Sequence, residues 1–156
     1  MIISGRGEGH SVPNPLGGGI EFKARAEETA GALTAFESAV APGEGPPLHA
    51  HADQDEVLYF LEGRFRMRID DTVRDAPSGS FVFIPKGVAH TWQNVDDAPG
   101  RLLGMFMPGT PGMEQFFERF SAAAGDGSVA AAFAKLADAA GMKVVGPPLA
   151  QSDPVP

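Results

Sequence analysis

The region from Gly19 to Pro108 is the part of the sequence that most limits the fold. It consists of short apolar runs bounded by Gly, Pro or Asp, and no stretch within it sustains a helical period. Closely spaced short strands with turns between them are typical of an antiparallel sandwich or barrel. The sequence therefore predicts an all-β domain. Its apolar runs are GALTAFESAV, EVLYFLEG, RFRMRID, SFVFIP and RLLGMFMP.

After Pro108 the sequence changes to alanine-rich segments with helical spacing of the apolar residues, as in MEQFFERF and SVAAAFAKLADAAG. We predict two amphipathic helices that are joined around Gly125 to Gly127, with Ser128 as the cap of the second helix. The predicted division of the chain is an N-terminal arm at 1–19, a barrel at 20–108, a helical extension packed on the barrel at 109–146 and an extended tail at 147–156.

Composition narrows the classes of function. A chain of 156 residues fits one domain, and because it contains no cysteine, any metal must be held by nitrogen and oxygen atoms. The formal net charge of −8, without a dense Lys/Arg block, argues against nucleic-acid and anionic-membrane partners. The N-terminus lacks the pattern of a signal peptide, and no run of apolar residues is long enough to span a bilayer. We therefore expect a cytoplasmic, soluble protein with a small-molecule substrate.

The stretch HAHADQDE predicts a metal site. His49 and His51 point to the same face if they lie in a strand, because side chains alternate between the two faces. Glu56 begins the next apolar run, so a hairpin can return its carboxylate to the two imidazoles. His90 follows an apolar strand and a Pro-Lys-Gly turn, and it offers a third imidazole. Such a ligand set suits a divalent first-row metal with open coordination positions.

Two spaced motifs give the sequence a specific family resemblance. The first reads G-x5-H-x-H-x4-E-x6-G and the second reads G-x5-P-x-G-x2-H-x3-N. With both patterns complete and in order, the sequence resembles the cupins. The resemblance implies a small antiparallel β-barrel or jelly roll and turn roles for the motif glycines. The predicted C-terminal α-helical hairpin is an addition of this chain to that fold. The motif residues are Gly43, His49, His51, Glu56 and Gly63, then Gly79, Pro85, Gly87, His90 and Asn94.

The resemblance also implies a function. His49, His51, Glu56 and His90 would hold one divalent transition metal, which could be Fe, Mn, Ni, Co, Cu or Zn. The single-domain layout is similar to the quercetin dioxygenase-like cupins of bacteria, which implies ring opening of a flavonol-like aromatic or enolic compound with dioxygen. Glu56 would serve as a ligand alone or also as the catalytic base. Cupins commonly pair, so the resemblance implies a homodimer.

Other interpretations remain open at this point. A non-redox isomerase or polyketide cyclase would use the metal as a Lewis acid, and a non-catalytic module would bind a small molecule without turnover. For the substrate pocket we predict an apolar wall. Trp92 lies two residues after His90, so in a strand the two side chains point to the same face. In SFVFIP either face can point into the pocket, so Val82 and Ile84 are alternatives to Phe81 and Phe83. The predicted substrate contacts are Trp92, Met67, Phe81, Phe83, Phe106 and Phe116.

Overall fold

The computed structural model describes residues 1–123 and 128–155. In these residues eleven strands form two antiparallel sheets, as the jelly-roll prediction requires. The strands are β1 (His10–Pro13), β2 (Gly19–Ala24), β3 (Thr34–Val40), β4 (Pro47–His51), β5 (Asp55–Glu62), β6 (Arg64–Ile69), β7 (Thr72–Pro77), β8 (Phe81–Ile84), β9 (His90–Asn94), β10 (Gly100–Met107) and β11 (Met142–Pro148). The helices are α1 (Pro111–Ala123), α2 (Val129–Ala137) and the short α3 (Leu149–Ser152), and a 3-10 turn at Asp138–Ala140 follows α2.

The two sheets enclose the core between their inner faces. One sheet has the strand order β1-β2-β3-β10-β5-β8 and the other has the order β11-β4-β9-β6-β7. Burial alternates along β2 and β10, as expected where one face of a strand meets the core and the other faces outward. Large inward side chains such as Phe60, Phe65 and Leu102 fill the space between the sheets.

The motif glycines lie at turns, as the family resemblance implies. Gly43, Gly63, Gly79 and Gly87 all have positive φ, between 80° and 92°. This backbone region strains any residue that carries a Cβ atom, so glycine is the residue that closes these turns without cost. The Gly87 N–H also donates to the His51 carbonyl at 2.7 Å, which fastens the turn before β9 against β4.

The end of the chain differs from the predicted helical extension and extended tail. Residues Met142–Pro148 form β11, which pairs with β4 in the register Met142 to His51 and Val144 to His49. Without β11, the strand β4, which carries two of the histidines, would lie at the edge of its sheet. Pairing with β11 provides partners for the backbone N–H and C=O groups on that side of β4. The tail also contains α3. At the other terminus β1 lies within the predicted arm and extends the larger sheet.

The two predicted helices are present as α1 and α2. Ser128 caps α2, because its side chain accepts from the Ala131 N–H. The predicted junction around Gly125 to Gly127 lies outside the described residues. The division into arm, barrel, extension and tail stays a prediction. No helix of the described residues has the length and apolar character needed to cross a membrane.

Helix α1 is fastened to the larger sheet by a buried carboxylate. Glu114 accepts hydrogen bonds from the Ala26 N–H at 2.6 Å, from the Thr34 hydroxyl at 3.0 Å and from the Arg25 Nε at 2.8 Å. Its side chain is 4% exposed. A buried charge is stable only when it is paired and hydrogen-bonded, and these donors meet that requirement. The position of α1 over the barrel therefore depends on Glu114.

Candidate metal centre

The structure brings the four predicted metal ligands together. Strand β4 supplies His49 and His51, β5 supplies Glu56, and β9 supplies His90, which is paired with His49 across the sheet. Each of the four residues is at most 5% exposed. One ligand atom from each of them lies within 4.8 Å of all the others. Three separate strands therefore place three imidazoles and one carboxylate around a common point.

Backbone carbonyls orient two of the imidazoles. His49 Nδ1 lies 2.8 Å from the Pro47 carbonyl oxygen, and His90 Nδ1 lies 3.0 Å from that of Val88. A carbonyl can only accept, so in each ring Nδ1 carries the proton and donates it. This tautomer leaves the Nε2 lone pair free to bind a metal, and such carbonyl partners are the usual support of histidine ligands.

Three of the four clustered residues have buried polar atoms that lack a hydrogen-bond partner of suitable geometry among the described residues. They are His90 Nε2, Glu56 Oε2 and both ring nitrogens of His51, although His90 Nε2 lies 2.7 Å from Glu56 Oε2. Burying polar atoms without partners costs free energy. Because the unpartnered atoms converge, the donor set fits a divalent metal bound by nitrogen and oxygen.

Two of the four clustered residues have the protonation state that a cation requires of its ligands. Burial raises the pKa of Glu56, but the neighbouring His90 and His51 lower it more, so its pKa lies well below the usual range and the carboxyl is ionised. Burial, together with His90 and His51, holds the pKa of His49 well below its usual value, so this imidazole is neutral. For His90, burial lowers the pKa, but the Glu56 charge outweighs burial and the net pKa is raised.

An apolar cavity opens onto the cluster. His49, His51 and Glu56 form part of its wall, and so do three of the predicted substrate contacts, Trp92 and Phe106 on the strands and Phe116 on α1. The cavity volume is about 50 Å³. Since a water molecule requires about 10–15 Å³ of such space, the cavity as it stands holds only a few waters.

Three of the predicted substrate contacts lie elsewhere. Phe81 and Phe83 are 65% and 50% exposed, because Ile84 is the β8 residue that pairs with Glu56 and is buried, which turns the alternate residues outward. Met67 is buried in the core between the sheets and does not line the cavity. The sequence could not show which face of β8 points to the core, because both of its faces are apolar.

Helices α1 and α2 close the cavity with further residues that were not among the predicted substrate contacts. The Phe133 ring on α2 lies 5.1 Å from the His49 ring and 4.9 Å from the Phe116 ring. Helical spacing marked Phe133 as part of an apolar face, which was the available signal. At another part of the wall, Asn14 donates to the Ser38 hydroxyl at 2.8 Å. The further wall residues from the helices are Met113, Phe117 and Phe120.

Removing the Phe133 ring is expected to expose the cluster. Phe133→Ala deletes an aromatic contact of His49 and weakens the packing of α2, so local opening becomes easier. We expect the metal-loaded variant to lose its metal to excess chelator at least about tenfold faster than the unchanged protein. A factor of ten corresponds to a free energy of local opening that is lower by about 1.4 kcal/mol. Leu136→Ala, on the same helix but not on the cavity wall, is the control. Equal release rates in both variants would contradict a shielding role of Phe133.

Comparisons with known proteins agree with this architecture. The model of the cupin domain family matches residues 36–106, which span all four clustered residues. SchB of Streptomyces halstedii is 33% identical over 101 residues, and the match covers 64% of this chain and 73% of SchB.

Solved structures resemble this chain in fold. An RmlC-like cupin of Shewanella frigidimarina has a TM-score of 0.59 at 22% identity, covering 70% of this chain and 94% of that chain. A protein of Thermotoga maritima, described as a predicted oxalate decarboxylase, has a TM-score of 0.58 at 18% identity, with coverage of 69% and 98%. At these identities the likeness establishes the fold alone.

Proposed function

Because the chain belongs to the cupin family, we propose that it is a metal-dependent dioxygenase that acts on a small aromatic or enolic compound of the flavonol type. The observation that carries the proposal is a buried cluster of three imidazoles and one carboxylate that opens onto an apolar cavity. A redox-active metal bound by His49, His51, Glu56 and His90 would supply open positions at which a substrate oxygen and dioxygen can meet.

The residues of the chain would prepare the substrate for this chemistry. A carboxylate ligand that is released from the metal can accept the proton of a substrate hydroxyl, so Glu56 would serve as the general base. Trp92, Phe106 and Phe116 offer aromatic surfaces for a planar ring. In a dioxygenation both oxygen atoms enter the products, so the reaction needs no external reductant.

The size of the cavity adds a requirement to the proposal. A flavonol is much larger than the few waters that fit in about 50 Å³. Substrate entry would therefore require α1 and α2 to move away from the barrel and then close again, which excludes water from the reacting groups. The helices would thus act as a lid as well as a packing element.

Oxygen uptake with a flavonol tests the proposal. We expect Glu56→Gln to abolish uptake while changing metal content less than His51→Ala does, because the amide keeps the shape and one possible ligand oxygen but cannot serve as the base. Metal content and oxygen consumption are measured on the same preparations of both variants and of the unchanged protein. Oxygen uptake by Glu56→Gln at the rate of the unchanged protein would contradict the role of Glu56.

The same assay distinguishes the alternatives. Product formation under strict anaerobiosis would indicate a non-redox isomerase or cyclase that uses the metal as a Lewis acid. Tight ligand binding without any product by mass spectrometry would indicate a binding module. The homodimer and the cytoplasmic location stay predictions.

A further inference from the structure

The wall of the cavity contains a polar pair outside the metal cluster. Asn14, in the turn between β1 and β2, and Ser38 on β3 both line the cavity, and they are 6% and 4% exposed. Among the described residues, the other wall residues outside the cluster are apolar or aromatic. A buried amide and a buried hydroxyl in such surroundings require hydrogen-bond partners. The partners that they have determine what the pair can offer to a ligand.

The backbone fixes the orientation of the Asn14 amide. Asn14 Oδ1 accepts from the Leu16 N–H at 3.0 Å, which an NH2 group could not do. Asn14 Nδ2 donates to the Ala39 carbonyl at 2.9 Å, which an oxygen atom could not do. The second N–H of the amide donates to Ser38 Oγ at 2.8 Å. Both N–H groups of Asn14 are thus used inside the protein, and one of them positions Ser38.

The Ser38 hydroxyl keeps a proton that it can donate. Because the Asn14 N–H can only donate, Ser38 Oγ is the acceptor in their contact, and the hydroxyl proton must point elsewhere. No group in residues 1–123 and 128–155 accepts this proton. Ser38 is buried and lines the cavity, so the available acceptor is a water or a ligand oxygen inside the cavity.

Strand register gives the separation of Ser38 from the metal cluster. Ser38 and Glu56 lie on strands that both pair with β10, where Ser38 is opposite Leu102 and Glu56 is opposite Phe106. Four residues of an antiparallel strand extend about 13 Å. Leu102 and Phe106 both belong to the cavity wall, so the wall continues from one level to the other. A ligand that contacts both the cluster and Ser38 is therefore longer than a single aromatic ring.

We propose that the Ser38 hydroxyl is a second contact for the substrate, and that it donates a hydrogen bond to an oxygen atom at the end of the substrate remote from the metal. The inference rests on the proposed function and deepens it, because Ser38 would select flavonol-type compounds that carry an oxygen at that end. A compound without this oxygen would displace water from Ser38 and leave a buried hydroxyl unpaired, which costs affinity. The contact would also help to orient the reacting end.

Calorimetric titration of the metal-loaded full chain in the absence of dioxygen tests the proposal. Two flavonols are compared. Kaempferol carries a hydroxyl at the remote position of its pendant ring, and galangin is the same molecule without that hydroxyl. We expect the unchanged protein to bind kaempferol about tenfold more tightly, because only kaempferol offers a partner to the buried hydroxyl. In Ser38→Ala the preference should fall to about twofold or less.

Leu102→Val is the matched control. Leu102 lies opposite Ser38 on the neighbouring strand and lines the cavity, but its side chain has no donor. Both flavonols should share any change of affinity in this variant, so the tenfold preference should persist. Ser38→Ala also leaves one Asn14 N–H without its acceptor, so its Tm should fall. If it does not fold, Ser38→Cys takes its place, because a thiol of similar shape is a weaker donor.

Persistence of the preference for kaempferol in the folded Ser38 variant would overturn the proposal. Equal binding of the two flavonols by the unchanged protein, or binding of neither, would also overturn it. Oxygen uptake in air separates these results from the proposed function. A preference that depends on Ser38, without any oxygen uptake, would support the second contact and refute the dioxygenase. Oxygen uptake without such a preference would support the dioxygenase and overturn the second contact alone.

Discussion

Replacing His49 and His51 together with alanine is expected to remove the bound metal. The double variant leaves one imidazole and one carboxylate of the four buried ligands, which is too few for stable binding of a divalent ion by nitrogen and oxygen. Elemental analysis should show about one metal equivalent per chain in the unchanged protein and below about 0.1 in the variant. The protein should be expressed with several metals available, because affinity order and cellular supply decide the occupant.

His10→Ala is the matched control for metal content. His10 is the one histidine of the sequence that is not part of the cluster. Its side chain is 53% exposed, and it lies on β1. Its replacement should leave the metal content unchanged. If neither the unchanged protein nor the control contained metal after growth with all candidate ions, the metal site would be refuted, and the binding-module alternative would become the leading one. Zinc as the only metal bound would favour the Lewis-acid alternative.

Replacing Glu114 with glutamine is expected to cause the second large effect, which is a loss of stability. The amide keeps the shape but removes the charge that faces Arg25. Its NH2 group cannot accept, so either Arg25 or the pair Ala26 and Thr34 loses its acceptor, whichever way the amide turns. Breaking a buried pair costs about 3–5 kcal/mol, and we expect about 3 kcal/mol because Arg25 stays partly solvated. In a domain of this size that loss lowers the Tm by about 6–12 °C.

Glu118→Gln serves as the control for Glu114→Gln. Glu118 lies one turn further along α1 and also contacts Arg25, at 3.3 Å, but its side chain is 38% exposed. Exposed ion pairs contribute about 0–1 kcal/mol, so its Tm should change little. Thermal unfolding followed by circular dichroism measures both variants. A similar Tm for both would mean that α1 does not depend on the buried carboxylate. Faster loss of metal from Glu114→Gln would link this contact to closure of the cavity.

Local sequence patterns sufficed to predict the centre of the site. His49 and His51 are two residues apart in a strand, so their common face follows from the alternation of side chains. The turn at Gly87 requires a positive φ that glycine adopts freely, and the turn leads directly into His90. These relations involve residues near one another in the chain, so the spacing within the two motifs is sufficient to predict them.

Contacts between distant parts of the chain decided the rest. Both faces of β8 are apolar, so only pairing with β5 showed that Phe81 and Phe83 turn outward. The strand β11 pairs with β4, which lies far earlier in the sequence, and no local pattern predicted a strand in residues that were assigned to the helical extension and the tail. The closeness of Phe133 to His49 is likewise non-local. Thus the sequence by itself determined which residues could bind a metal, whereas tertiary packing decided what surrounds that site, because periodicity encodes the geometry of an element but not its neighbours.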